Sequence, residues 1–261
     1  MAVVPGTLPG MGSFHLRFTP LGWRLIGAWG ALWAIGFLLF LLPDAWLPFL
    51  YMTLPDVPEQ VPLWHALLLN PPGTGVGFQP WQVVTGPLLY PPVALGGWVL
   101  GALGIGFFGG TVERFLGKRR YLELWGVSLL GAVALGTLYG FVGSAGPHYG
   151  FGPVVLALIV IHCLLTPEAT VTFFLVMPVK MKWIGYGVAA IVLARALGAF
   201  APFGGGAVGG YELGGLLAGV LWWRYRDDLD PRAIHRRRKA KRLLRAVEDT
   251  ITGGDDGPVY H

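Results

Sequence analysis

The sequence predicts an all-α membrane protein, a bundle of about six transmembrane helices with a large outer loop between the first two. Three observations carry that prediction. The chain is 54% hydrophobic and only 13% charged, about half the charged share of a typical soluble domain. Its apolar residues fall in blocks close to the ~20 residues that cross a ~30 Å hydrocarbon core. Its lysines and arginines gather at alternate junctions between those blocks.

In chain order the blocks are Leu21–Leu42, Pro92–Val112, Leu122–Val142, Gly146–Leu165, Trp183–Phe200 and Gly209–Trp223. The last is short and rich in glycine. Trp46–Leu54 and Val171–Val179 are too short to span and read as interfacial segments. The first block is a span rather than a cleaved signal. It is long, and Leu41-Leu42-Pro43-Asp44 is no small-residue cleavage site. The lone cysteine, Cys163, excludes a disulfide within the chain and a cysteine-based metal site. No cofactor is expected.

Basic residues orient the spans, because Lys and Arg favour the cytoplasmic face. Arg17 and Arg24 flank the first block. Arg114, Lys118, Arg119 and Arg120 separate the second from the third, and Lys180 and Lys182 separate the fourth from the fifth. The run from Arg224 to Arg245 follows the sixth. With both termini cytoplasmic, every basic residue except Arg195, inside the fifth block, lies on that side. The chain then divides into an N-terminal cytoplasmic segment (1–20), a membrane domain (21–225) and a basic tail (226–261), in a membrane of the bacterial plasma (inner) type. Residues 43–91 face outward. They contain no Lys or Arg, and they carry Trp46, Trp64 and Trp81, a residue type that prefers the membrane interface.

In the tail, Asp230-Pro231 is a helix start, with Asp as cap and Pro in the first turn. Leu243, Leu244, Val247 and Ile251 share one face, and Arg236, Arg237, Arg238, Lys239, Lys241 and Arg242 populate the other. Two readings fit: a helix that binds anionic lipid, at about 1 kcal/mol per basic residue, and a solvated tail that obeys the topology rule. Nucleic-acid binding is not needed to explain the charge.

Five motifs in order resemble the rhomboid superfamily of intramembrane serine proteases. Leu69-Asn70-Pro71 followed by Gln79-Pro80-Trp81-Gln82-Val83-Val84-Thr85 resembles the family's approach to its second span. Gly109-Gly110-Thr111-Val112-Glu113-Arg114-Phe115-Leu116-Gly117 resembles its G-x-x-x-E-x-x-x-G turn. Pro178-Val179-Lys180-Met181-Lys182-Trp183 resembles its basic entry to the fifth span. Gly143-Ser144-Ala145-Gly146-Pro147-His148-Tyr149-Gly150 carries the glycine frame of its active-site helix, and Gly214-Gly215-Leu216-Leu217-Ala218-Gly219 that of the partner helix. The resemblance covers about Leu21–Tyr225 and implies a rhomboid-like six-helix fold. Gly146 with Gly150, and Gly215 with Gly219, then read as small-residue pairs that let helices approach closely.

The chemistry the resemblance implies is missing. Where the family has its serine this chain has Ala145, and where it has its histidine this chain has Glu212. A methyl group cannot attack a carbonyl, and a carboxylate without a hydroxyl partner has nothing to activate. The family's accessory His and Asn positions fall near Gly97 and Gly101, and Tyr90 stands where it often has a further histidine. The pattern resembles a pseudoprotease. Ser144 is one residue from the nucleophile position, and His148, four residues on, reaches it if this stretch is helical. That dyad has no oxyanion hole in view. His162 reads as a packed histidine, with no metal-ligand spacing around it.

Arg195 and Glu212 are charges within apolar blocks, and such charges are functional-site candidates by default. At 1.5 Å per residue both lie roughly 5–10 Å from the outer boundary, so they are expected to form a buried ion pair or, alternatively, to be wetted separately, Arg195 by snorkelling. The first functional reading is a non-catalytic rhomboid-like protein. It would bind a transmembrane helix or membrane-protein partner in the former substrate cleft, near Arg195, Glu212, His148, Tyr149 and Trp81. The alternatives are an active protease using Ser144 and a permanent structural subunit of a membrane complex. A transporter is disfavoured, since no inverted repeat is visible.

Overall fold

The computed structural model describes residues 19–41, 67–71, 78–90, 94–141, 146–173, 177–198 and 207–229. Ser144, Ala145, most of 43–91 and the basic stretch Arg236–Arg242 lie outside the described residues. The chain falls into two compact units, Met1–Val220 and Leu221–His261.

The first unit is a helical membrane assembly. Helix α1, Pro20–Leu41, starts at Thr19, whose hydroxyl accepts from the Gly22 N–H at 3.0 Å as an N-cap. The same hydroxyl donates to the carboxylate of Glu113, the acidic residue of the glycine-flanked turn. Helix α2, Gln82–Leu88, is short. A rod then runs over Leu95–Leu116 as α3 (Leu95–Gly104), a π-helical turn (Ile105–Gly109) and α4 (Gly110–Leu116). Helices α5 (Lys118–Phe141) and α6 (Gly152–Leu165) follow. Two antiparallel strands, β1 (Thr170–Phe173) and β2 (Met177–Lys180), lead to α7 (Met181–Ala196). Helix α8 covers Ala207–Leu229.

Pro20–Leu38, Leu95–Leu116 and Lys118–Phe141 are long and apolar enough to cross a bilayer, so the chain is a membrane protein. Gly152–Leu165 is apolar but shorter. Helix α8 has 23 residues, yet Glu212, Arg224 and Arg226 dilute its apolar character.

Glycines set the spacing around α6. A Cβ on Gly101 would strike the Phe151 ring, and one on Gly104 the Val155 side chain, so α3 lies directly on the start of α6. On the other side, a Cβ on Gly185 of α7 would come 2.8 Å from that of Cys163. Helix α8 enters the seam between α5 and α6. A Cβ on Gly215 would meet Pro153 and the Ser128 carbonyl, and one on Gly219 the Ser128 hydroxyl and the Ala157 methyl. Gly131 and Gly214 face each other so closely that each would clash with the other's carbonyl. Where lipid removes the usual hydrophobic drive between helices, such contact supplies van der Waals attraction instead. Gly215 and Gly219 therefore do pack helices.

Gly146 and Gly150 do not, and this corrects the expected helix start at Gly146. Helix α6 begins only at Gly152, with Pro153 in its first turn, where a missing N–H is tolerated. Gly150 has φ +76°, a left-handed conformation that strains any other residue, and the Tyr90 ring fills the space of its Cβ. Gly146 has nothing within 4 Å of its Cβ position among the described residues. The small residues that answer Gly215 and Gly219 from α6 are Pro153 and Ala157, four apart.

The Val171–Val179 stretch, expected as an interfacial run, holds the strand pair, in keeping with its β-branched residues. Beside it the carboxylate of Glu168 accepts from the Lys180 ammonium at 2.7 Å and from that of Lys182 at 2.8 Å. Those hydrogen bonds, Lys180's first, hold the Glu168 carboxyl down at about 2. In the second unit, Arg226 donates to the Trp223 carbonyl at 2.7 Å and lies over its ring.

Candidate functional site

The candidate site gathers where α7 ends and α8 begins. The loop ahead of α3 is tied to it through the backbone. Gln82 Oε1 accepts from the N–H groups of Asn70 (3.1 Å) and Gln79 (3.2 Å), and the Thr85 hydroxyl donates to the Leu67 carbonyl at 2.6 Å. Leu69 and His148 exchange both backbone hydrogen bonds, at 3.1 and 2.8 Å, as one antiparallel bridge. The Gly150 N–H donates to the Gly86 carbonyl at 3.0 Å. A Cβ on Gly86 would fall 2.6 Å from the Leu69 nitrogen, so α2 presses directly on this strand-like segment.

His148 is buried, and its ring lies parallel to that of Tyr211, with centroids 5.1 Å apart. The opposite edge of the imidazole meets Gly136 of α5, where a Cβ would come 3.0 Å from Cδ2. Tyr211 donates to the Gly150 carbonyl at 2.9 Å and packs with Leu69, Ala132 and Val133. Phe151 closes the centre, with Tyr90 at 5.2 Å, Trp29 at 5.1 Å and Trp125 at 5.9 Å between centroids. The interior of the site is thus filled with rings.

Glu212 follows Tyr211 and points about 100° away from it around α8. Its Oε1 accepts from Arg195 Nη1 at 2.9 Å. Two backbone features bring the pair together. Gly198, at φ +81°, ends α7 just beyond Arg195, and its N–H returns to the Arg195 carbonyl at 3.0 Å. Gly209, three residues before Glu212 on the same face of α8, lets that helix touch the Arg195–Ala196 backbone, since a Cβ there would clash with it. The second carboxylate oxygen of Glu212 is buried without a partner among the described residues.

Of the expected site residues, the structure joins Arg195 to Glu212 and buries His148 beside them. Tyr149 is more than a third exposed, with its ring 6.0 Å from that of Tyr90. Trp81 precedes α2, its carbonyl accepting from Thr85. His148 sits in an extended segment rather than a helix, and Ser144 lies outside the described residues. No hydroxyl side chain among the described residues donates to His148 or Glu212. Among the same residues no cluster of three or more His, Cys, Asp or Glu is set to hold a metal.

Sequence reasoning missed Tyr211, Phe151 and the Pro153/Ala157 pair. Only the last had a signal, a four-residue spacing of small or compact residues matching that of Gly215 and Gly219. No protein-family model matches the chain, and no curated protein matches it.

Proposed function

We propose that this is a non-catalytic, rhomboid-like membrane protein with six spans and both termini cytoplasmic, whose work is to bind a transmembrane partner. The observation that carries the reading is the Arg195–Glu212 ion pair at 2.9 Å. The carboxylate at the family's base position is engaged by a guanidinium, while Tyr211 and His148 stack in the space beside it. A group committed this way serves to join α7 to α8 rather than to move protons.

The topology rests on charge. Lys118, Arg119 and Arg120 open α5, and Lys180 and Lys182 open α7, each on the face the positive-inside rule assigns to the cytoplasm. With aromatic rings packed through the centre, the partner helix docks on the membrane-facing surface bordered by α3 and α7. Leu100 on α3 and Ile191 on α7 are both more than half exposed there.

Photo-crosslinking side chains at Leu100, Ile191 and the equally exposed Leu130 of α5 test this in native membranes. Discrete adducts from the first two, and none from the third, are expected. A uniform smear from all three would sink the partner reading. Fluorophosphonate labelling abolished by Ser144→Ala would instead restore the protease. The filled centre also favours a second reading, a permanent subunit of a complex, for which purification in mild detergent returns a fixed stoichiometry.

A further inference from the structure

The ion pair is polarised. The carboxylate end faces inward, with one oxygen of Glu212 wholly buried, and its side chain is 16% exposed. The guanidinium end faces outward, and the Arg195 side chain is 28% exposed. Glu212 uses only Nη1, and no acceptor among the described residues is hydrogen-bonded to Nε or Nη2. Arginine carries five such N–H donors in a planar fork that matches phosphate oxygens two at a time.

Depth selects the acceptor. Arg195 lies in the last turn of α7, which stops at Ala196 and reverses at Gly198. With α7 as a span, as the proposed topology has it, a guanidinium on that turn reaches the lipid headgroups by snorkelling outward. Ile191, one turn below on the same face, is an exposed apolar residue suited to an acyl chain. We infer that Arg195 holds the phosphate of an outer-leaflet phospholipid, with Glu212 as the buried counter-charge that fixes the guanidinium's outward edge. A phosphate fits better than a partner's carboxylate, because a transmembrane helix carries few charges at any level, whereas phosphates are abundant within snorkelling reach of this turn.

Native mass spectrometry of the full chain with dioleoylphosphatidylethanolamine tests the site. This zwitterionic lipid offers the basic tail little net charge to bind. Arg195→Gln is expected to weaken the first bound lipid about tenfold, the scale of a lost charge-assisted contact. Arg195→Lys, which keeps the charge but not the fork, is expected to fall between. Glu212→Gln removes the competing negative charge while its amide oxygen still accepts from Nη1, so lipid binding is expected to tighten. A helix clamp with no lipid role would move the two glutamine variants the same way, and that result would overturn the inference, as would unchanged binding by Arg195→Gln. A protein adduct at Ile191 that requires Arg195 would assign the guanidinium to the partner helix instead. Loss of lipid binding with the Leu100 and Ile191 adducts intact, or the reverse, separates this inference from the partner-binding function.

Discussion

The segment leading into α6 and the seam of α5, α6 and α8 both depend on glycines spaced four apart, and they use them in opposite ways. In the seam, Gly215 and Gly219 are ordinary helical residues whose missing side chains admit Pro153, Ala157 and Ser128. Before α6, Gly150 is required for its backbone, with φ +76° and the Tyr90 ring against it, while Gly146 touches none of the described residues at its Cβ position. One pair carries packing throughout; the other has one indispensable member and one dispensable member. Equal spacing therefore does not mean equal function, because Gly215 and Gly219 lie on a continuous helix and Gly146 and Gly150 do not.

The largest expected effect breaks the seam. Gly219→Leu drives a branched side chain into Ser128 and Ala157 and is expected to destabilise by about 3 kcal/mol, seen as a lower thermal midpoint in detergent. An unchanged midpoint would mean the helices are not in backbone contact. Next, Gly150→Ala is expected to lose about 2 kcal/mol through positive-φ strain and the Tyr90 clash, while Gly146→Ala stays within about 0.5 kcal/mol of the parent. Equal losses at the two glycines would erase the contrast between the regions.

The ion pair ranks close behind. Reversing Arg195 or Glu212 alone is expected to lose about 2 kcal/mol, less than a fully buried pair because both side chains keep some exposure. Reversing both should recover most of it, and strictly additive losses would show that the two charges act independently. The smallest effect lies at the strand pair. The Glu168 carboxyl is depressed to about 2, so its stabilising contribution is complete above the ordinary carboxylate range and fades as pH falls toward about 2. Glu168→Gln is thus expected to lower the thermal midpoint slightly near neutral pH, with the difference vanishing in strong acid. A difference that persists at low pH would place the cause elsewhere.

These contrasts also explain what the sequence could and could not disclose. Two opposite charges on consecutive apolar blocks at matched depth could pair or be wetted separately, so the sequence offered the Arg195–Glu212 pair as one of two readings, and the structure brings the two to 2.9 Å. The Gly215–Gly219 face was legible because it lies on a continuous helix. Hydropathy, however, does not register whether an apolar stretch is extended or helical. The start of α6 was misplaced because the Leu69–His148 bridge and the Tyr90 contact, which keep residues 148–150 out of a helix, come from segments far away in the chain. Tyr211 escaped notice because a tyrosine beside a charged residue in a membrane helix carries no mark of what it will stack upon.

The π-helical turn Ile105–Gly109 acts as a phase shifter within its rod. One extra residue in a turn rotates everything after it by ~100° relative to an uninterrupted α-helix. Before the turn, Gly101 and Gly104 face α6; at its last residue Gly109 faces the Tyr121 hydroxyl, and beyond it Glu113 reaches Thr19. Deleting Phe107 would turn this into a regular α-turn and leave Glu113 on its present face, whereas deleting Thr111 beyond the turn would rotate Glu113 by ~100° away from Thr19. The tolerance of this rod to insertion and deletion is therefore set by rotation rather than by length.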